Sequence, residues 1–257
     1  MNETYKVQVQ DLVDDLKAVF THAGLGGEAG EYKLLTQSFL YKFLNDKFLY
    51  QAKVLDESNT YENLLAMSEE DYDWLLEDIG TSTAWLKPDQ LIETLHRKQN
   101  EATFYETFEN TLNQIAIDNN DIFSVHTDGD TAIRLFDERL ITDTISDSSK
   151  RNEVAKAIIN LLARVKFDET IFSQGFDFFS TLFEYMIKDY NKDGGGKYAE
   201  YYTPHSVAKI IADILVGDDK PQNVRIYDPS AGSGTLLMNL ASRIGVDKTT
   251  VYSQDIS

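Results

Sequence analysis

Cysteine is absent from this 257-residue chain, which excludes disulfides, thiolate-bound metal and thiol nucleophiles. Histidine is scarce: His22, His96, His126 and His205 stand far apart, with no paired metal-ligand spacing, and no metal site is expected. No apolar run approaches the roughly 18 to 20 residues that span a bilayer. The opening MNETYKVQVQDL also lacks the basic and then apolar pattern of a signal peptide. A soluble, cytoplasmic chain is the expectation. Basic charge is in deficit, with 24 Lys+Arg against 43 Asp+Glu and a net charge of −19. The deficit is uneven, 15 against 30 over residues 1–165 and 9 against 13 over residues 166–257. This balance argues against a free-standing, non-specific nucleic-acid binder. If nucleic acid is a ligand, a partner must supply much of the phosphate contact.

What the chain has in quantity is amphipathic helix. Leu12, Leu16, Val19 and Phe20 share one face, and EYKLLTQSFLYKFLNDKFLYQAKVL repeats large apolar residues at three- and four-residue intervals from Leu34 to Leu55. SEEDYDWLLEDIG opens on Ser68 with Asp71 three residues on and stops at Gly80. Pro88 suits the first turn of a helix through Leu95, and ATFYETFENTLNQIAI supplies another. From Asp121 to Ser146 the period fades, and Asp128-Gly129 fits a hairpin turn or a loop. Ser149 is expected to cap a helix through Val165. FSQGFDFFSTLFEYMIKDY reads as a further helix, with Phe176, Phe179, Phe183 and Met186 as a core face, and the glycines of NKDGGGKY follow it. A boundary near residue 165 gives two domains, 1–165 helical and 166–257 of another kind.

The last part changes character. Thr203-Pro204 is a helix opening, with the Thr hydroxyl as cap, Pro at the first helical position and Val207, Ile210, Ile211 and Ile214 as the buried stripe. NVRIYDP is a short strand that Pro229 stops. Ser230, Ala231, Gly232, Ser233 and Gly234 turn the chain into the helix TLLMNLASRI. A second strand, TVYSQDI, carries Asp255, 21 positions beyond Gly234. Strand, glycine turn and helix make the arrangement of a nucleotide-type fold, in which an acidic group about 20 residues on meets ribose hydroxyls. The third glycine of the dinucleotide pattern is missing, its place held by Leu237.

AEYYTPHSVAKII, YDPSAGSGTLL and SQDI, in that order, resemble the amino-methylating DNA methyltransferases, specifically the modification subunit of type I restriction-modification systems. The helical part, with FLYKFLNDKFL, resembles that subunit's amino-terminal domain. The resemblance implies a mostly α amino-terminal domain followed by the start of an α/β Rossmann-like, S-adenosylmethionine-dependent methyltransferase domain with an incomplete sheet. It implies that Asp228, Pro229, Ser230, Ala231, Gly232, Ser233 and Gly234 wrap the methionine end and sulfonium of S-adenosylmethionine. Tyr202 and Thr203 would lie beside the methionine carboxylate, and Asp255 would accept from the ribose. The Asn/Asp-Pro-Pro-aromatic tetrapeptide through which family members methylate adenine N6 does not occur among these 257 residues. No catalytic residue is therefore assigned, and the chain is expected to be an amino-terminal piece of a larger enzyme, inactive alone. The implied partners are DNA, a specificity subunit that reads the sequence and a restriction subunit. The isolated chain is not expected to bind DNA tightly. A helical docking module for the specificity subunit, with a non-catalytic α/β end, is the alternative. The missing third glycine and the Asp-Pro opening disfavour a nicotinamide-dependent oxidoreductase.

Overall fold

Leu12, Leu16 and Phe20 are each at most 2% exposed, on the inner face of helix α1 (Glu3–Ala23). Helix α2 (Ala29–Leu55) is continuous because its only glycine, Gly30, lies at its start and it holds no proline; it buries Leu34, Leu35, Phe39, Tyr41, Leu44 and Phe48. In this computed structural model, residues 3–27, 29–81, 83–123, 134–167, 169–173, 203–219 and 221–255 are described. Their contacts divide the chain into two units, Asn2–Phe172 and Ser173–Ser257.

The first unit continues with α3 (Tyr61–Ala66), α4 (Glu69–Ile79), α5 (Ile92–Lys98), α6 (Phe104–Asp118), α7 (Asn120–Phe123), α8 (Leu140–Thr144), α9 (Arg151–Arg164) and α10 (Glu169–Ser173). Helix α9 packs on α1, α5 and α6, with Val154, Ala155, Ile158, Ile159 and Leu162 buried. Helix α4 begins and ends as its residues predict. Ser68 Oγ accepts from the Asp71 amide at 3.2 Å, and Gly80 takes φ 63°, a conformation open to glycine.

Polar side chains buried here are paired across elements. Asp46 accepts from Lys42 Nζ at 2.8 and 3.0 Å, from Asn45 Nδ2 at 2.7 Å and from the Phe167 amide at 2.7 Å. Asn45 Oδ1 accepts the Ile92 amide at 2.9 Å. Burial pushes the Lys42 ammonium pKa down while Asp46 opposes the shift. The Tyr41 hydroxyl, raised well above its ordinary value by burial, donates to Gln90 O at 2.6 Å. Asn119 accepts the Trp85 amide at 2.6 Å and donates to the Trp85 carbonyl at 2.8 Å. The bonds to Phe167, Ile92, Gln90 and Trp85 join segments that sequence periodicity does not connect.

Two helix starts differ from expectation. Pro88–Gln90 forms a separate 3-10 turn, because Gln90 Oε1 accepts the Lys87 amide and Leu91 is extended, with ψ 142°, before α5. Ser149 caps nothing. It donates through both amide and hydroxyl to Asp147, whose carboxylate opens a 3-10 turn ahead of α9. Asp128-Gly129 and the helix predicted over FSQGFDFFSTLFEYMIKDY, apart from its first residues, lie outside the described residues.

The second unit runs α11 (His205–Val216), β1 (Val224–Asp228), α12 (Thr235–Ile244) and β2 (Thr249–Ser253). The strands pair in parallel, Val224 opposite Thr249 through Asp228 opposite Ser253. Ile226, Leu237 and Ala241 form the core, with Val224, Ala231, Leu240 and Ile244 against them. Leu237 thus packs where the dinucleotide pattern carries its third glycine. The buried stripe expected on α11 is corrected: Val207, Ile210, Ile211 and Ile214 are 44, 59, 38 and 75% exposed. The helix buries Ala208, Ala212 and Val216 instead, and α12 is its main neighbour. Alanine at four-residue spacing lets two helices approach closely, and the larger apolar side chains of α11 mark a different face, so its pattern did not single out this one. The described part of the protein is therefore mostly helical, with one two-stranded parallel sheet.

Candidate functional site

Parallel pairing brings the carboxyl ends of β1 and β2 together, and the chain beyond each strand stays attached. The Gln254 amide donates to Asp228 O at 3.0 Å, and the Ala231 amide donates to Gln254 O at 2.9 Å. The ladder therefore runs past the strand ends into the glycine turn. Asp228 folds back on that turn, its Oδ1 accepting the Ser230 amide at 2.9 Å. The Gly234 amide closes on Ala231 O at 2.8 Å.

Two glycines are required by conformation. Gly232 has φ 53° and Gly234 φ 74°, left-handed values that a side chain disfavours, and Gly234 stands immediately before α12. Ser230, Gly232 and Ser233 are exposed, whereas Thr235 is buried and its hydroxyl meets Ser233 Oγ at 2.8 Å. Asp255 reaches the turn directly: its Oδ2 accepts the Gly232 amide at 2.6 Å. The structure thus gathers Asp228, Pro229, Ser230, Ala231, Gly232, Ser233, Gly234 and Asp255 at one end of the sheet.

The start of α11, two residues after Thr203, is tied to the start of α12. Asn239 Nδ2 donates to Thr235 O at 2.8 Å and lies 3.0 Å from His205 Nδ1, joining the first residue of α11 to the first turn of α12. Thr203 itself is not the cap expected of it. Pro204, with ψ 132°, is still extended and precedes the helix, no side chain caps α11, and the Val207 and Ala208 amides bond to Pro204 O at 2.9 and 3.1 Å. Tyr202 lies outside the described residues. His205 is half-buried and bonded to Asn239. Neither member of that pair carried a signal, since 34 positions separate them.

Chemically, the arrangement places two carboxylates and a turn of small residues around one exposed spot. A carboxylate can take an ammonium or a pair of hydroxyls, and small residues let backbone approach a ligand. No group of three or more His, Asp or Glu suited to a metal ion occurs among the described residues, and no helix there is long and apolar enough to cross a membrane.

Residues 174–256 match the family model described as N-6 DNA Methylase. Among curated proteins, the chain is similar to the type I restriction enzyme MpnII methylase subunit of Mycoplasma pneumoniae. The two are 24% identical over 268 residues, covering 97% of this chain and 47% of that protein. It is also similar to the type I restriction enzyme MjaIX methylase subunit of Methanocaldococcus jannaschii, 26% identical over 138 residues, which take in 49% of this chain and 24% of that protein. The crystal structure of the type I restriction-modification system methyltransferase subunit from Streptococcus thermophilus superposes with a TM-score of 0.65 at 22% identity. That match covers 97% of this chain and 53% of that one, and it shows a shared fold. The chain spans about half the length of the longest of these curated matches. The resemblance read in the sequence therefore holds: the chain is a relative of the methylase subunits of type I restriction-modification systems, and residues 174–256 carry the match to the N-6 DNA Methylase family.

Proposed function

We propose that this chain is part of a site-specific DNA methyltransferase that moves a methyl group from S-adenosylmethionine to adenine N6. It would work in the cytoplasm within a type I complex containing a specificity subunit and a restriction subunit. The observation that carries the reading is the Asp255 carboxylate against the Gly232 amide, at the shared end of two parallel strands. That bond sets the acidic group of the second strand beside the glycine turn of the first, the relation a nucleoside ligand requires.

The donor set fits this ligand. Asp228 suits the α-ammonium and Asp255 the two ribose hydroxyls. Pro229, Ser230, Ala231, Gly232, Ser233 and Gly234 form a turn without bulky side chains for the methionine end, and the sequence resemblance assigns the carboxylate to Tyr202 and Thr203. When bound, S-adenosylmethionine supplies an electrophilic methyl group on its sulfonium. The role of this chain is to hold and orient it. On this reading the two units are a helical amino-terminal domain and a Rossmann-like cofactor-binding domain.

Calorimetry tests the assignment. S-adenosylhomocysteine should bind and NAD should not displace it, and Asp228→Ala in the full-length protein should abolish binding; retained affinity in that variant would sink the reading. The 257-residue chain, lacking the Asn/Asp-Pro-Pro-aromatic tetrapeptide, should transfer no tritiated methyl to DNA even with its partners present.

A second reading, docking of the specificity subunit by the helical unit, is favoured by Trp74. This residue is 62% exposed on α4 among Glu69, Glu70, Asp73 and Glu77. Capture of that subunit by residues 2–172, lost in Trp74→Ala, would support it. Unchanged capture by the variant would remove Trp74 from the interface.

A further inference from the structure

The methyl-donor reading needs two segments side by side that are distant in sequence, Thr203-Pro204 and the glycine turn. We infer that Asn239 is the positioning residue that holds them together, acting through His205, and that it sets the affinity of the cofactor pocket without touching the ligand.

The chemistry of the contact determines its direction. The Thr235 carbonyl can only accept, so the Asn239 atom 2.8 Å from it is the amide nitrogen. That same nitrogen lies 3.0 Å from His205 Nδ1, which must therefore accept, and the neutral imidazole carries its proton on Nε2. Asn239 is only 7% exposed. One N–H of this buried amide bonds back to Thr235 within α12 and the other reaches His205 on α11, so the oriented amide fixes the two helices in one register.

Its position is what connects it to the site. Thr235 directly follows Gly234, and His205 is the second residue after Thr203. The other end of the helix pair has its own clamp: Arg243 donates to Asp213 at 2.8 Å and to Gly217 O at 2.6 Å. Between the two clamps the buried face of α11 is Ala208 and Ala212, small side chains that interlock little. Without the amide of Asn239, that face offers little resistance to a slide of the α11 start away from the glycine turn.

This inference rests on the methyl-donor reading, and the experiment separates the two. S-adenosylmethionine binding is measured by calorimetry on the full-length wild type, Asn239→Leu, His205→Leu and His205→Gln, with a thermal melt of each. Asn239→Leu and His205→Leu should weaken binding about five- to tenfold, the range one hydrogen bond spans. His205→Gln, which keeps an acceptor, should recover most of the loss, with all melting temperatures close to wild type. If wild type does not bind, the methyl-donor reading and this inference both fall. If wild type binds and Asn239→Leu binds as tightly, only the clamp is overturned. Should Asn239→Leu fail to fold, the His205 pair decides: equal losses in His205→Leu and His205→Gln overturn the acceptor role.

Discussion

The two units bury their side chains on different terms. In the helical unit, Phe20, Phe39, Phe48, Phe104 and Phe108 are all at most 2% exposed, and the charged Lys42 and Asp46 are sealed in with partners. Among the described residues of the second unit the core of the sheet is only Ile226, Leu237 and Ala241, while Ile214, Leu215, Tyr227 and Val246 are 75, 67, 60 and 72% exposed. Hydrophobic burial thus organises the first unit, whereas the candidate site in the second is held mainly by hydrogen bonds along backbone that two short strands align. A site of this kind is more sensitive to local dihedral angles than to core volume.

The largest test of that contrast is Asp46→Ala. It leaves the Lys42 ammonium buried without its partner and frees the Phe167 amide, so the helical unit should lose about 3 to 5 kcal/mol. Both tryptophans, Trp74 and Trp85, lie in that unit. The urea midpoint followed by tryptophan fluorescence therefore reads it alone, and Lys42→Met combined with Asp46→Leu should recover most of the loss. An unchanged midpoint in Asp46→Ala would mean that the buried network does not support the unit.

Next comes the same substitution in both units. Ile158, fully buried on α9, should cost about 4 kcal/mol as Ile158→Ala, and Ile226→Ala in the small core of the sheet about 2 kcal/mol. Hydrogen exchange of the α9 and β1 amides measures each, and equal costs would erase the difference in burial. Gly234→Ala, at φ 74° with ψ 8°, should cost about 1 to 2 kcal/mol. It should nonetheless reduce S-adenosylmethionine affinity more than Ile226→Ala does; the reverse order in calorimetry would break the claim that dihedrals outweigh core volume at the site.

The smallest effect concerns acid. Burial pushes the Asp118 carboxyl up, but hydrogen bonds from Gln90 and Gln114 and the nearby Lys87 outweigh it and hold the carboxyl below its ordinary value. A carboxyl lowered on folding adds stability above its unfolded value and loses it as pH falls through the folded one. The midpoint of the helical unit should therefore drop on acidification, and by less in Asp118→Asn. Parallel pH profiles of the two proteins would remove Asp118 from the account.

Legibility in the sequence followed the range of the interactions. The Ser68 cap, the Gly80 stop and the bounds of α12 are decided within a few residues, and the structure keeps them. Asp228, the glycine turn and Asp255 were readable as a group because strand, turn and helix impose their own spacing. The misreadings arose where a neighbour decides. Ser149 serves Asp147 instead of a helix, and α11 turns its alanines inward because α12 is there to meet them. The bond between His205 and Asn239 could not be read at all, since neither residue announces its partner.

The ladder that continues from Asp228 through Gln254 to Ala231 makes the two ends of the sheet unequal as places to lengthen the chain. The connection Gly245–Lys248 enters β2 at its start, remote from the glycine turn, and extra residues there leave the register of the strands intact. One residue added between Asp228 and Gly234 must displace an amide already committed to Gln254 O or Asp255. Loop grafting in this unit therefore has one tolerant end and one closed one, and a tag or hinge belongs at residues 245–248.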